Sequence, residues 1–249
     1  MENEKLPIKF FAPREVDELR IEGNKNPEKP KWVLQGEELK QRADCLQLSL
    51  DELEAEFSTR KSSPVPFSFI AKLQSDATAK SKREDITNLF QQKSFGGVVG
   101  LTDTNKLIVA LNSLEELKEI SNRIKDYESN DYAISCIEDF EEFVPYIVKE
   151  EKECNYKIKL VDYQNYEQNL AMRRLLEYVL NKEGIDYIKT DYSEEYYIYK
   201  LRNLTEKALD NLEKTDIFNA LFSIEPMPKY MVSLDCLESD NDISIKQPE

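Results

Sequence analysis

From residue 37 onward, apolar side chains return every third or fourth position. Leu39, Ala43, Leu46, Leu50, Leu53 and Phe57 make a seam with the 3.5-residue period of facing helices. The spacing predicts an amphipathic helix over 37–57, either lying along a domain or pairing with a second copy as a dimeric coiled coil. Ahead of it, residues 6–11 alternate through Ile8 and Phe10 like a short strand, and residues 24–31, rich in Pro, Asn and Lys, read as a loop. Trp32 then anchors the chain onto a neighbouring surface. Ser62, Ser63 and Pro64 end the region as a hinge.

Beyond the hinge the period changes. Residues 67–73 read as a strand, 78–92 as a helix, and 97–101 and 107–111 as strands joined by a turn at 103–105. Ser113 and Glu116 form a capping box. It opens a helix with Leu114, Leu117 and Ile124 on one face, and residues 133–140 close the unit as a strand. Residues 155–228 repeat the order. Strands are predicted at 157–163, 186–191, 196–201 and 218–224. A helix at 168–182 is stopped by Gly184, and a second capping box has Asn203 as the cap and Glu206 three later. The copies align at an offset of about 90 residues, a repeat of topology more than of sequence.

A βαββαβ order is the ferredoxin-like unit, an antiparallel sheet with two helices on one face and the other face free. The expected fold is therefore α+β: an N-terminal arm and helix (1–65), two tandem ferredoxin-like domains (66–148 and 149–230) and an acidic linker (231–249).

Composition narrows the chemistry. Among 249 residues there are 49 acidic and 34 basic side chains, a net charge of −15, and no histidine. Catalysis by Ser-His-Asp or Cys-His units and imidazole-dependent zinc sites are excluded. The charge argues against nucleic acid as a partner. No apolar run reaches the ~18 residues of a membrane span, and the start lacks the features of a signal peptide. Cys45, Cys136, Cys154 and Cys236 form no C-x-x-C pair, so reduced thiols in a cytoplasmic protein are expected.

Several motifs have plain explanations. The stretch from Phe95 through Gly96, Gly97 and Gly100 enters a strand instead of leaving one for a helix, so it reads as a glycine turn and not as a phosphate loop. Tyr196, Tyr197 and Tyr199 lie on the strand that stacks bases in RNA-recognition folds, but they follow Glu194 and Glu195 in a domain with no evident basic patch. Alternation puts Tyr197 and Tyr199 on one face and Tyr196 with Ile198 on the other, one set core and the other a protein-facing surface. Asn203 fits a glycosylation sequon, yet reads better as a helix cap. The acidic clusters around Glu138 and Glu150 lack calcium-loop spacing and read as solvated surface, and no cofactor is implied.

The segment Phe222-Ser223-Ile224-Glu225-Pro226-Met227-Pro228-Lys229-Tyr230, the end from Ile243 to Glu249 and the start from Leu6 to Arg14 resemble the N-terminal region of large bacterial subtilisin-like serine peptidases. Some members of that group are encoded beside an AAA-type ATPase in two-gene phage-defence systems. The catalytic segments of the family are missing, so no catalytic residue carries over. The chain is expected to be a fragment or a cleavage product of a longer peptidase. The resemblance implies a propeptide-like second domain that inhibits, folds or positions the protease domain in cis. Its sheet face would dock on two enzyme helices, with Asp191, Glu194, Glu195, Tyr197 and Tyr199 at the contact. Ile224, Glu225, Pro226, Met227, Pro228 and Tyr230 would run toward the substrate cleft. The alternatives are a sensor or adaptor module that binds a partner such as the ATPase, and a domain pair that binds a small regulatory molecule.

Overall fold

The computed structural model describes residues 32–60, 63–74, 83–92, 97–103, 105–149, 154–191 and 197–227. The predicted strand at 6–11, the loop at 24–31 and the linker at 231–249 lie outside these residues. The elements are α1 (Gly36–Thr59), β1 (Phe67–Leu73), α2 (Arg83–Phe90), β2 (Gly97–Asp103), β3 (Lys106–Leu111), α3 (Leu114–Lys125), α4 (Asp131–Cys136), β4 (Ile137–Glu142) and β5 (Tyr146–Ile147). They continue with β6 (Cys154–Leu160), α5 (Tyr166–Lys182), β7 (Tyr187–Asp191), β8 (Tyr197–Leu204), α6 (Glu206–Glu213), a 3-10 turn (Asp216–Ala220) and β9 (Leu221–Pro226).

The fold is α+β, with two sheets. The first has the strand order β2-β3-β1-β4, every neighbour antiparallel. The second has the order β5-β9-β6-β8-β7, antiparallel except where β5 runs parallel to β9 through Tyr146↔Ser223 and Ile147↔Ile224.

Alternation assigns the faces of the first sheet. Phe67, Phe69, Ala71 and Leu73 of β1, with Val109 and Leu111 of β3, turn toward α1, α2 and α3 in one apolar core. Phe69, Phe90 and Phe140 meet there edge to face, at 5.4 to 6.2 Å between ring centroids. Such contacts add about 0.5–1.5 kcal/mol each beyond burial. The reverse face was expected to be free, and it is not. Ile70, Val99, Ile108 and Ala110 belong to the core of the second unit, together with Phe143, Val161 and Ile224. Both faces of β1 are therefore apolar, which is why its sequence reads as a near-continuous hydrophobic run.

The seam of α1 is used within the chain. Leu39, Ala43, Leu46, Leu50, Leu53 and Phe57 are all buried and share the core of the first sheet. Phe57 stacks on Phe67 at 4.6 Å. The helix is tied down by polar contacts along its length. The Arg42 guanidinium donates to Ile137 O at 2.6 Å, Gln47 exchanges hydrogen bonds with Ser121, and the Ser49 hydroxyl donates to Asp139. Of the two readings of the seam, a helix lying along a domain is the arrangement present, and no apolar stripe of α1 is left for a coiled-coil dimer. Trp32 packs edge-on against Tyr132 at 6.3 Å.

Three further expectations need correction. Residues 133–136 are helical, not extended. Ala133, Ile134, Ser135 and Cys136 are all buried, and an apolar run buried on every side carries no alternation to separate helix from strand. The last strand begins at Leu221, not at 218, because residues 216–220 form the 3-10 turn. Asn203 is not a cap: it lies in β8, and Thr205 caps α6, its hydroxyl accepting from the Ala208 amide at 3.3 Å. The Ser113 cap of α3 stands as expected, accepting from the Glu116 amide while the Glu116 carboxylate accepts from Asn112 N. Gly184 ends α5 at φ +66°. The Gly184 amide donates to Asn181 O and the Ile185 amide to Leu180 O, a Schellman closure that needs the left-handed residue.

Candidate functional site

Helices α5 and α6 cover one face of the second sheet. Tyr156, Ile158, Tyr199, Leu201 and Ile224 point into that layer against Met172, Leu176, Leu180, Leu209 and Leu212. The Tyr199 hydroxyl donates to Glu177 Oε1 of α5 at 2.8 Å, and Lys189 Nζ lies 3.4 Å from the same carboxylate. Burial, and after it the hydrogen bond to Glu177, push the Tyr199 phenol well above its ordinary range.

The opposite face is set by the register. Lys157 lies opposite Glu225 on one side and Lys200 on the other, and Lys200 lies opposite Ile188. One row across four strands therefore reads Glu225, Lys157, Lys200, Ile188. The next row reads Ser223, Lys159, Ile198, Thr190. Arg202, exposed, follows Lys200 on β8 where the β6–β8 register shifts, and its amide donates to Asp186 O ahead of β7. Glu225 is the hub, with Lys157 Nζ at 3.8 Å, Lys159 Nζ at 3.7 Å and the Ser223 hydroxyl donating to Oε1 at 2.7 Å. The Ser223 hydroxyl, and after it the two ammonium groups, hold the carboxyl below the usual carboxylate range. Tyr146 extends this face on β5 and is exposed, as is Ile188.

At the rim of this face the two sheets diverge and leave a groove of about 510 Å³, lined by Thr102, Lys106 and Glu141 from one side and Tyr146, Phe222 and Glu225 from the other. Lys106 Nζ and Glu141 pair there at 3.0 Å.

The residues expected at a docking surface separate in space. Tyr199 and Ile224 are fully buried under the helices and present no surface. Glu225 is on the open face. Pro226 pairs with Tyr156 at the end of β9, and the Met227 amide donates to Asn155 O at 2.7 Å. Asp191 and Tyr197 are paired across the β7–β8 ladder. Glu194, Glu195, Pro228 and Tyr230 lie outside the described residues.

The expectation of a domain without a basic patch is corrected: Lys157, Lys159, Lys200 and Arg202 gather on one face. The signal was present in the alternation Tyr156-Lys157-Ile158-Lys159 and Tyr199-Lys200-Leu201-Arg202, but the net charge of the whole chain hides it. Among the described residues no group of Cys, Asp and Glu could hold a metal ion, and no helix is long and apolar enough to cross a membrane. No protein-family model matches the sequence, and no curated protein matches it either.

Proposed function

We propose that the chain is a non-catalytic regulatory region of a bacterial subtilisin-like serine peptidase, built of two ferredoxin-like units. Its second unit docks on the protease domain by the open face of its sheet. The strand order β9-β6-β8-β7 carries this reading. Counted from β6 it is 4-1-3-2, the order of a ferredoxin-like sheet, and β4-β1-β3-β2 in the first unit has the same order. Helices α5 and α6 cover one face of the second sheet; on the other, Ile188 and Arg202 are exposed, Lys157, Lys159 and Lys200 are half-buried, and Ser223 and Ile198 are buried, so the partner would meet the β7–β8 side of that face. The chain leaves β9 at Met227, so the segment that follows starts from the edge of that face. The site lies in the cytoplasm in this reading, within a phage-defence system.

The first test is to read the coding frame past Glu249. Continuation into a domain with Asp, His and Ser segments supports the proposal. That domain, produced separately and titrated with this chain, is expected to bind it and to lose peptidase activity or gain folding yield. Absence of binding together with unchanged activity would sink the proposal.

A second reading, an adaptor for a partner such as an AAA-type ATPase, is favoured by the groove between the two sheets, which joins surfaces of both units. Recovery of the ATPase on immobilised chain, lost on substituting Lys106 and Glu141, supports it.

A further inference from the structure

The open face of the second sheet carries the opposite charge to the chain. Lys157 and Lys159 flank the Glu225 carboxylate, and Lys200 and Arg202 continue the basic row on the next strand, with Asp186 beside Arg202 at the margin, where the Arg202 amide donates to Asp186 O at 3.0 Å. Glu225 lies on the far side of Lys157 from Lys200, so it is placed to neutralise Lys157 and Lys159 only. Among the described residues Lys200 and Arg202 make no ion pair. Lys157 and Lys200 are direct cross-strand partners, and like charges in that position are destabilising. The chain as a whole carries a net charge of −15. An arrangement that opposes like charges within the fold is relieved when a partner brings carboxylates.

We propose that this face takes an acidic polypeptide surface, its carboxylates entering between Lys157, Lys200 and Arg202 while Ile188 and the lysine stems supply apolar contact. A nucleic acid is the poorer occupant. Its charge repeats at every nucleotide and is repelled along its length by the acidic remainder of the chain, whereas a protein surface presents carboxylates over one patch only. Within the reading above, the partner's docking helices would be acidic where they meet this sheet. The inference rests on that reading for the use of the face, but not on the partner being a protease.

The test titrates the whole chain into a fluorescein-labelled Glu/Asp-rich peptide at low salt, with a labelled oligothymidylate in parallel. Saturable peptide binding is expected, weakening steeply with salt. K157E/K200E should weaken it by about tenfold or more, and K157Q/K200Q by less. Circular dichroism and urea midpoints identify any variant that fails to fold. K118Q, on α3 of the first unit, should leave binding unchanged. No peptide binding, equal loss in K118Q, or tighter binding of the oligonucleotide would each overturn the proposal. Self-association that the double variant abolishes, without peptide binding, assigns the face to a second copy and overturns it too. A protease domain that binds wild type and K157E/K200E alike leaves the docking reading standing and removes this one. Lysine-dependent peptide binding with no protease binding does the reverse.

Discussion

Tyr199 and Glu177 are joined beneath α5 by a hydrogen bond of 2.8 Å, and the phenol is fully buried. Tyr163, buried beside Ser68, is likewise pushed up by desolvation. Both folded-state values stand above the unfolded tyrosine value of about 10. Folding therefore favours the protonated phenols. Their contribution is full below pH ~10 and is lost as pH rises through the folded values. Wild type is expected to hold a constant urea midpoint from neutral pH to about 9 and to lose stability steeply above about 10. Y163F/Y199F should show a shallower alkaline fall, at a cost of about 1 kcal/mol near neutral pH for the lost Tyr199–Glu177 hydrogen bond. Urea unfolding at stepped pH decides it; equal alkaline slopes would refute the assignment.

Leu46 has no exposed surface and sits at the middle of the α1 seam. Because the seam is filled by the chain's own sheet, Leu46→Ala should open a cavity and cost about 2–5 kcal/mol. Sedimentation should give the same mass for both proteins. A change in oligomeric state with little loss of stability would restore the coiled-coil reading.

The legible parts of the fold were those with a clean period. The α1 seam, the Ser113 cap and the Gly184 stop each depend on residues a few positions apart, and each is present, although the Glu116 carboxylate bonds the Asn112 amide and not that of Ser113. Residues 133–136 and 218–220 are misread because burial on all sides and a short 3-10 turn leave no period. The covering of Ile70 and Ile108 by the second unit was hidden for another reason: a single strand's pattern does not say what meets its second face. The basic face was spelled in two alternating runs, and only the pairing of β6 with β8 brings them into one patch. Tyr199 is misplaced because alternation separates two faces without saying which one the helices cover, and Ile224 because the family resemblance, not the pattern, sends that segment toward a cleft.

The shift of the α6 cap from Asn203 to Thr205 is directly testable. Thr205 Oγ1 accepts from the Ala208 amide, one of the donors at the helix start that has no partner within the helix. Thr205→Ala should cost about 1 kcal/mol, within the usual range for a lost cap. Asn203→Ala, in the strand, removes no cap. Chemical denaturation of the two variants separates the readings, and a larger loss for Asn203→Ala would return the cap to that residue.

Gly97 starts β2 at φ +101°, and a Cβ there would meet Phe90 O at 3.0 Å. Strain and contact act together, so Gly97→Ala should destabilise by about 1–3 kcal/mol. The glycine then serves the backbone at the start of β2, where it passes close to Phe90 O. Loss of affinity for a nucleotide, with stability intact, would contradict that role.

Arg60 holds the two units together at the end of α1. Its Nη1 donates to Asn219 Oδ1 at 2.9 Å in the second unit, its Nη2 meets Glu142 of β4 at 3.1 Å and also bonds Glu56, and the guanidinium lies over the Phe67 ring at 5.7 Å. Desolvation raises the Glu56 carboxyl above its ordinary value, Arg60 opposes that rise, and the neighbouring Glu142 adds to it. Taking Arg60 away leaves two carboxylates facing each other, so the Glu56 value should climb further. A carboxyl whose folded value is raised stabilises the fold below its unfolded value of about 4.5 and loses that contribution as pH rises through the folded value. Arg60→Ala should therefore cost most at neutral pH, about 1–2 kcal/mol for a partly exposed pair, and recover on acidification toward pH ~4.5. Adding Glu56→Gln should restore part of the loss at neutral pH. Hydrogen exchange at the Asn219 turn and at β4 should rise together in Arg60→Ala. A loss that is the same at every pH would mean the guanidinium acts through packing on Phe67 and not through its charge.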